Sequence, residues 1–336
     1  MKRWIGILLG MLLVLLPACG ASEQTGKEEM DEGIAAPGED KKAADLMPDE
    51  TDGQAWNESG EKPEDIAADE NVLNAGTEEP GDGDSDEKIR YAGKGMKLSI
   101  LGDSISTFEG WIPEGNADFY PQNGAVKDVS QTWWKIVLDE AGLTLCTNGS
   151  SSGSACFGYS QEEEPAYGCS DYRIAQLAGA GGEVPDIIIV YMGTNDVLMS
   201  ASLGDNDGLR EVAEGLVGSL SDGYTMILDK LERQYPMAQI YCCTLLPIGD
   251  WGTEQPFVDF VNGQGLTSKE YADQIQIIAR NRGIPVIDLY HCGITIDNMS
   301  EMTSDGVHLT PEGMRCVADM VLKSIVTGND IEVESP

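Results

Sequence analysis

The chain has 336 residues, 58 Asp and Glu against 21 Lys and Arg, and a formal net charge of −37 at neutral pH. So acidic a chain repels polyphosphate backbones, which excludes nucleic acid as an expected partner, and it disfavours anionic lipid headgroups at short range, so neutral ligands fit better. The eight cysteines show no paired CxxC spacing, which excludes a structural zinc site of the common kind, and no metal is expected.

Lys2 and Arg3 precede an apolar run from Trp4 to Leu16. The run is too short to span a bilayer comfortably and stands where the hydrophobic region of a signal peptide would. It ends in Leu16-Pro17-Ala18-Cys19, which resembles a bacterial lipoprotein signal. The resemblance implies a signal peptide over residues 1–19 and a diacylglyceryl group on Cys19. It also implies a membrane-anchored, extracytoplasmic lipoprotein at the bacterial cell surface. Two acyl chains suffice for stable anchoring; the alternative is an ordinary cleaved signal and a secreted soluble protein. Residues 20–90 hold 23 acidic and 6 basic residues and one aromatic, Trp56. Such a segment cannot bury enough apolar surface to offset chain entropy and reads as a disordered acidic linker with a reach of roughly 45 Å. Within it Asp82-Gly83-Asp84-Ser85-Asp86 starts like a calcium loop, but Glu87 stands where the turn needs glycine, so it is read as solvated charge.

Residues 91–336 have the length of one α/β domain with a full core. Met96 to Leu101 reads as an apolar strand stopping at Gly102. Gln131 to Ala141 has helical spacing in Trp134, Val137, Leu138 and Ala141, with Gly142 at the C-cap position. A short strand follows at Leu143 to Thr147, and Ser170-Asp171 caps a helix to about Ala178. Ile187 to Met192 is the most continuous apolar run and so the expected central strand. Helical pattern returns at Leu209 to Leu216 and Tyr224 to Gln234. Strand Gln239 to Leu245, helix Ser268 to Asn281, strand Pro285 to Leu289 and a helix from Pro311 to about Val326 complete the series. Strands alternating with helices predict a parallel sheet covered on both faces, a three-layer α/β/α sandwich.

Four short motifs fall on this frame in order: Gly102-Asp103-Ser104-Ile105-Ser106, Asn148 to Gly153, Gly193-Thr194-Asn195-Asp196, and Asp305-Gly306-Val307-His308. The first and third follow apolar strands, so Ser104 and Asn195 should emerge at the same edge of the sheet. A serine hydroxyl needs a neighbouring base, and His308 is the candidate. Asp305, three residues earlier, can hold the other imidazole nitrogen. His291, the second histidine, follows an apolar run and is taken as structural.

Together the motifs resemble the SGNH (GDSL) hydrolase family, over roughly residues 96 to 325. The resemblance implies a five-stranded, flavodoxin-like parallel sheet and a serine esterase acting through Ser104, His308 and Asp305 without metal or cofactor. It also implies an oxyanion hole built from the Ser104 and Gly153 backbone N–H groups and the Asn195 amide. Independently, Gly153 permits close backbone approach and Asn195 leaves the central strand beside Ser104.

A rival nucleophile lies in the second motif, where Gly149-Ser150-Ser151-Ser152-Gly153 formally matches Gly-x-Ser-x-Gly around Ser151. That motif needs a helix directly after it, and Ser154 to Gly168 reads as a loop. Trp111 and Tyr120, in the long loop after the first strand, and Trp251 are the expected substrate rim, since aromatic rings stack on sugar faces. Trp134 lies on a helical apolar stripe and is assigned to the core. Most of the cysteines read as small buried hydrophobes; Cys156 and Cys169, flanking a polar loop, are the one pair placed where a disulfide is an alternative. The expected substrate is a short acyl ester, O-acetyl above all, on a small molecule or polysaccharide. A surface O-acyltransferase and a non-catalytic carbohydrate-binding lipoprotein are the alternatives.

Overall fold

The sheet is built on strands whose side chains are buried on both faces, and the period of two along each strand divides them between two cores. In the computed structural model, which describes residues 92–250 and 256–326, β1 (Lys97–Gly102) leads into α1 (Trp133–Ala141) and β2 (Thr144–Asn148). A two-residue strand β3 (Gly158–Tyr159) and α2 (Asp171–Ala175) precede β4 (Ile187–Tyr191). The order continues with α3 (Thr194–Leu198), β5 (Leu216–Val217), α4 (Leu220–Gln234) and β6 (Gln239–Cys243). It closes with α5 (Ser268–Asn281), β7 (Val286–Ile287), α6 (Met299–Met302) and α7 (Pro311–Ile325). All described residues fall in the unit Pro80–Pro336. The predicted signal peptide with Cys19, the acidic linker and Trp251 lie outside the described residues.

The five-stranded sheet is parallel throughout, in the order β2-β1-β4-β6-β7. The run from Ile187 is therefore the central strand, as its continuous apolarity predicts. Ile187, Ile189 and Tyr191 face one core with residues of α1 and α7. Ile188 and Val190 face the other, with residues of α2, α4 and α5. Each fully buried isoleucine of β4 contributes roughly 1.5–3 kcal/mol of burial free energy. Gly102 pairs with Tyr191 across β1 and β4, so both strands end at the same level and their following loops open onto one crevice.

The helix predicted over Leu209 to Leu216 does not form. Its spacing imitates an amphipathic face, but Leu209 and Leu216 are 68% and 67% exposed, so no core gathers them. Asn206 organises the segment instead, accepting from Gly208 N at 3.0 Å and donating to the Arg210 carbonyl at 2.9 Å. Such side-chain bonds compete with a helix for the backbone. Leu216–Val217 then pairs antiparallel with Gly158–Tyr159. Helix α4 starts earlier than its pattern suggests, at Leu220, because Ser219 caps it through Asp222 N at 3.2 Å. Helix α2 stops at Ala175, short of Ala178. Helices α3 and α6 are too short for periodicity to reveal. Among the described residues, no helix is long and apolar enough to cross a membrane.

Candidate active site

The end of β1 is held too tightly for any side chain at position 102. A Cβ on Gly102 would stand 2.6 Å from Ser150 Oγ and 2.9 Å from Ser106 Cβ. The chain then makes a 3-10 turn over Ser104–Ser106, capped by Asp103 Oδ1 accepting from Ile105 N at 3.0 Å. Ser106 secures this turn to its neighbours. Its Oγ accepts from Trp133 Nε1 at 3.1 Å, and its carbonyl accepts from Trp134 Nε1 at 2.9 Å and Asn148 Nδ2 at 2.8 Å. Both tryptophans are fully buried, as assigned for Trp134, and their indole N–H groups position the turn that carries Ser104.

The fourth motif is folded onto this turn. Asp305 Oδ1 accepts from Val307 N at 3.0 Å and His308 N at 2.7 Å, while Oδ2 lies 2.7 Å from His308 Nδ1. On the far side of the imidazole, Nε2 is 2.9 Å from Ser104 Oγ. A carboxylate can only accept, so Nδ1 carries the proton and Nε2 is left to accept from the serine hydroxyl. Burial opposes the charge on Asp305, but the bond and charge of His308 and the two backbone N–H groups together hold its carboxyl below the ordinary range. Ser104 and His308 are both buried and Asp305 partly so.

Phe119 stacks on the imidazole, with ring centroids 3.5 Å apart and planes 9° from parallel. Its backbone N–H is held by Thr107 Oγ1 at 2.9 Å, and Thr107 Oγ1 in turn donates to the Ser104 carbonyl at 2.9 Å. Nothing in the sequence separates Phe119 from the other aromatics of its loop, because the contact is made 189 positions downstream. Tyr120 corrects an expectation. It is fully buried beneath the site and not on a rim, because its hydroxyl finds an acceptor in the Leu309 carbonyl at 3.2 Å; burial pushes its phenol pKa up. Trp111 is 40% exposed and packs on Trp134 at 5.7 Å.

The expected oxyanion donors come from three separate segments: the 3-10 turn after β1, the loop after β2 and helix α3. The backbone N–H groups of Ser104 and Gly153 have no acceptor among the described residues. Gly153 is exposed, with φ +78°, a conformation natural to glycine, and a Cβ there would meet open space. Glycine is thus required by backbone conformation and not by crowding. Asn195, on α3 just beyond β4, donates from Nδ2 to the Ser154 carbonyl at 2.9 Å. That bond fixes the amide and uses one of its two hydrogens.

Ser151 belongs to the scaffold. Its N–H donates to the Gly102 carbonyl at 3.1 Å and its Oγ accepts from Ala117 N at 3.2 Å. His291 is 70% exposed in its side chain and pairs with Asp288 at 2.9 Å, so it is a surface residue and not part of the core. Cys156 and Cys169 are buried free thiols and not a disulfide; burial raises both, Cys169 to about 12. Among the described residues no three metal-ligating side chains converge.

Two buried acids adjoin the site. Asp196 Oδ2 accepts from Cys156 N at 2.8 Å, tying α3 to the loop after the second motif. Burial pushes Asp196 from 3.8 to about 7 and Asp103 from 3.8 to about 6. Between the unfolded and folded values each binds more protons folded than unfolded, so its contribution to stability falls as pH rises through that window. Asp305 acts in reverse, and its stabilisation is lost only as pH falls below the ordinary carboxylate range. The melting temperature should therefore be higher at pH 6 than at pH 8, by about 5 °C at roughly 1.4 kcal/mol per pH unit and 2–4 °C per kcal/mol. Asp196→Asn should flatten the difference, and a melting temperature that instead falls from pH 8 to pH 6 would count against buried acids at these positions.

Residues 96–250 match the sequence family described as GDSL-like lipase/acylhydrolase. The match takes in the first three motifs and stops before Asp305 and His308. No curated protein matches the chain. Among solved structures, one described as a GDSL-like lipase from Bacteroides uniformis is 27% identical, with a TM-score of 0.49, covering 69% of this chain and 95% of its own. Another so described, from Bacteroides ovatus, is 25% identical, with a TM-score of 0.49, covering 68% and 97%. A protein from Lactobacillus plantarum is 20% identical, with a TM-score of 0.52, covering 70% and 99%, and shares the fold.

Proposed function

From a chain that belongs to the GDSL-like lipase/acylhydrolase family, we infer a serine esterase whose nucleophile is Ser104. The observation that carries this reading is the continuous line from Ser104 Oγ through His308 to Asp305, at 2.9 and 2.7 Å. His308 Nε2 takes the hydroxyl proton as Ser104 Oγ bonds to the ester carbonyl carbon, and Asp305 stabilises the imidazolium that forms. The carbonyl oxygen becomes an oxyanion facing the Ser104 and Gly153 N–H groups and the Asn195 amide. Collapse expels the alcohol, which receives the proton from His308. Water, activated by the same histidine, then releases the acid.

The substrate class we propose is a short acyl ester, chiefly O-acetyl, on a carbohydrate. The acidic chain favours a neutral substrate, and Trp111 offers an exposed ring on the loop that also carries Phe119. Display on a bacterial membrane through Cys19 is part of the same proposal and rests on the Leu16-Pro17-Ala18-Cys19 motif; detergent-phase partitioning of wild type against Cys19→Ala reads it. The function is tested with the full-length protein on p-nitrophenyl esters of increasing chain length and on acetylated oligosaccharides. Highest kcat/KM on acetyl esters is expected. A maximum at long acyl chains would replace the acetyl esterase with a lipase, and inactivity on every ester would remove hydrolysis.

A further inference from the structure

Arg173 is a fully buried basic side chain that the chemistry above leaves unused. It lies in α2, outside all four motifs, and is completely buried. Its hydrogen-bond partners are backbone carbonyls. Nη2 donates to the Gly102 carbonyl at 2.9 Å and to the Gly149 carbonyl at 2.8 Å, and Nη1 donates to the Pro165 carbonyl. Burying a guanidinium without a paired carboxylate is costly, and a neutral side chain would fill the same space without that cost.

The partners suggest what the charge does. Gly102 ends β1 two residues before Ser104, and Gly149 opens the loop that runs to Gly153. One nitrogen atom therefore fastens together the starts of the two segments that carry the two unpaired N–H groups. The Gly102 carbonyl also accepts from Ser151 N at 3.1 Å and from Ser154 Oγ at 3.4 Å, and the Ser154 carbonyl holds Asn195 at 2.9 Å. All three expected oxyanion donors are thus tied to one carbonyl cluster with Arg173 at its base.

We propose that Arg173 is a positioning residue for ester hydrolysis, setting the separation of the Ser104 and Gly153 N–H donors and keeping a positive charge beneath the oxygen that becomes anionic. This inference rests on the esterase reading above. Burial draws the guanidinium pKa down to about 10, against the nearby Asp103 charge, so it stays protonated at neutral pH. Donors aimed at developing charge act only if already in place, and a misplacement of about 1 Å costs on the order of 100-fold in rate.

The test compares full-length wild type, Arg173→Lys and Arg173→Met. The fraction of active sites is counted by fluorophosphonate labelling, kcat is expressed per labelled site, and the inhibition constant is measured for a boronic acid, which turns tetrahedral on the serine oxygen. A positioning role predicts that kcat per labelled site falls about 100-fold in Arg173→Met with KM within about two-fold. Boronate affinity should fall in parallel, with Arg173→Lys between the two. A purely structural role would lower the melting temperature and the labelled fraction but leave kcat per site and boronate affinity at wild-type values, and that result overturns the proposal. So does failure of both variants to reach the wild-type circular dichroism spectrum at low temperature. Wild type that neither hydrolyses esters nor takes up the label would instead defeat the esterase reading.

Discussion

Ser104→Ala will lower kcat on a p-nitrophenyl ester by roughly a million-fold while leaving the melting temperature within a few degrees of wild type. The magnitude follows from the loss of covalent catalysis. With no oxygen at this position His308 has no nucleophile to deprotonate, and the N–H donors can only assist attack by water. The folding cost is small because, among the described residues, Ser104 Oγ has a single hydrogen-bond partner, His308 Nε2, and the turn is secured by Asp103 and Ser106. Ser151→Ala is the matched control, since it removes one hydrogen bond, to Ala117 N, and should keep activity within about five-fold. Fluorophosphonate should label wild type and Ser151→Ala but not Ser104→Ala. Retained activity in Ser104→Ala with loss in Ser151→Ala would reverse the assignment.

Asp305→Asn is expected to cost about 10,000-fold in kcat without displacing the histidine. The two backbone N–H groups of Val307 and His308 both require an acceptor at Oδ1. An asparagine amide must therefore place its oxygen there and its NH2 where Oδ2 stood, 2.7 Å from His308 Nδ1. A donor at that position forces Nδ1 to accept. The proton then resides on Nε2, which can no longer take the Ser104 hydrogen. Asp305→Ala, which removes the orienting group without imposing the wrong tautomer, separates the two effects. It should be more active than Asp305→Asn in the presence of added formate, which can refill the carboxylate position. A loss below ten-fold in Asp305→Asn would mean that the carboxylate does not set the tautomer.

Much of this was legible in the chain because it is local. Asp305 and His308 are three residues apart, and their contact is closed by backbone bonds within the same loop, so spacing alone reveals it. The central position of Ile187 to Tyr191 follows from composition, since a strand covered on both faces must be apolar at every position. Gly142 and Pro311 mark helix ends by backbone chemistry that needs no partner. Where local pattern conflicted with packing, it misled. The Leu209 to Leu216 spacing imitates a helix, but its leucines remain in solvent and Asn206 dictates the turn.

By itself, then, the sequence determined the order of the five sheet strands and of the long helices, the parallel sheet, and the candidate residues Ser104, Asn195, Asp305 and His308. Periodicity and short motifs are properties of neighbours along the chain. Only the tertiary structure decided that Phe119 lies on the imidazole, that Tyr120 is buried beneath it and that Arg173 ties Gly102 to Gly149. Each of these contacts joins residues 24 or more positions apart, and each depends on which loops the ends of β1 and β4 bring to one crevice. A side chain's identity states what bonds it can make; its partner is settled when the sheet aligns those loops and burial leaves one acceptor within reach.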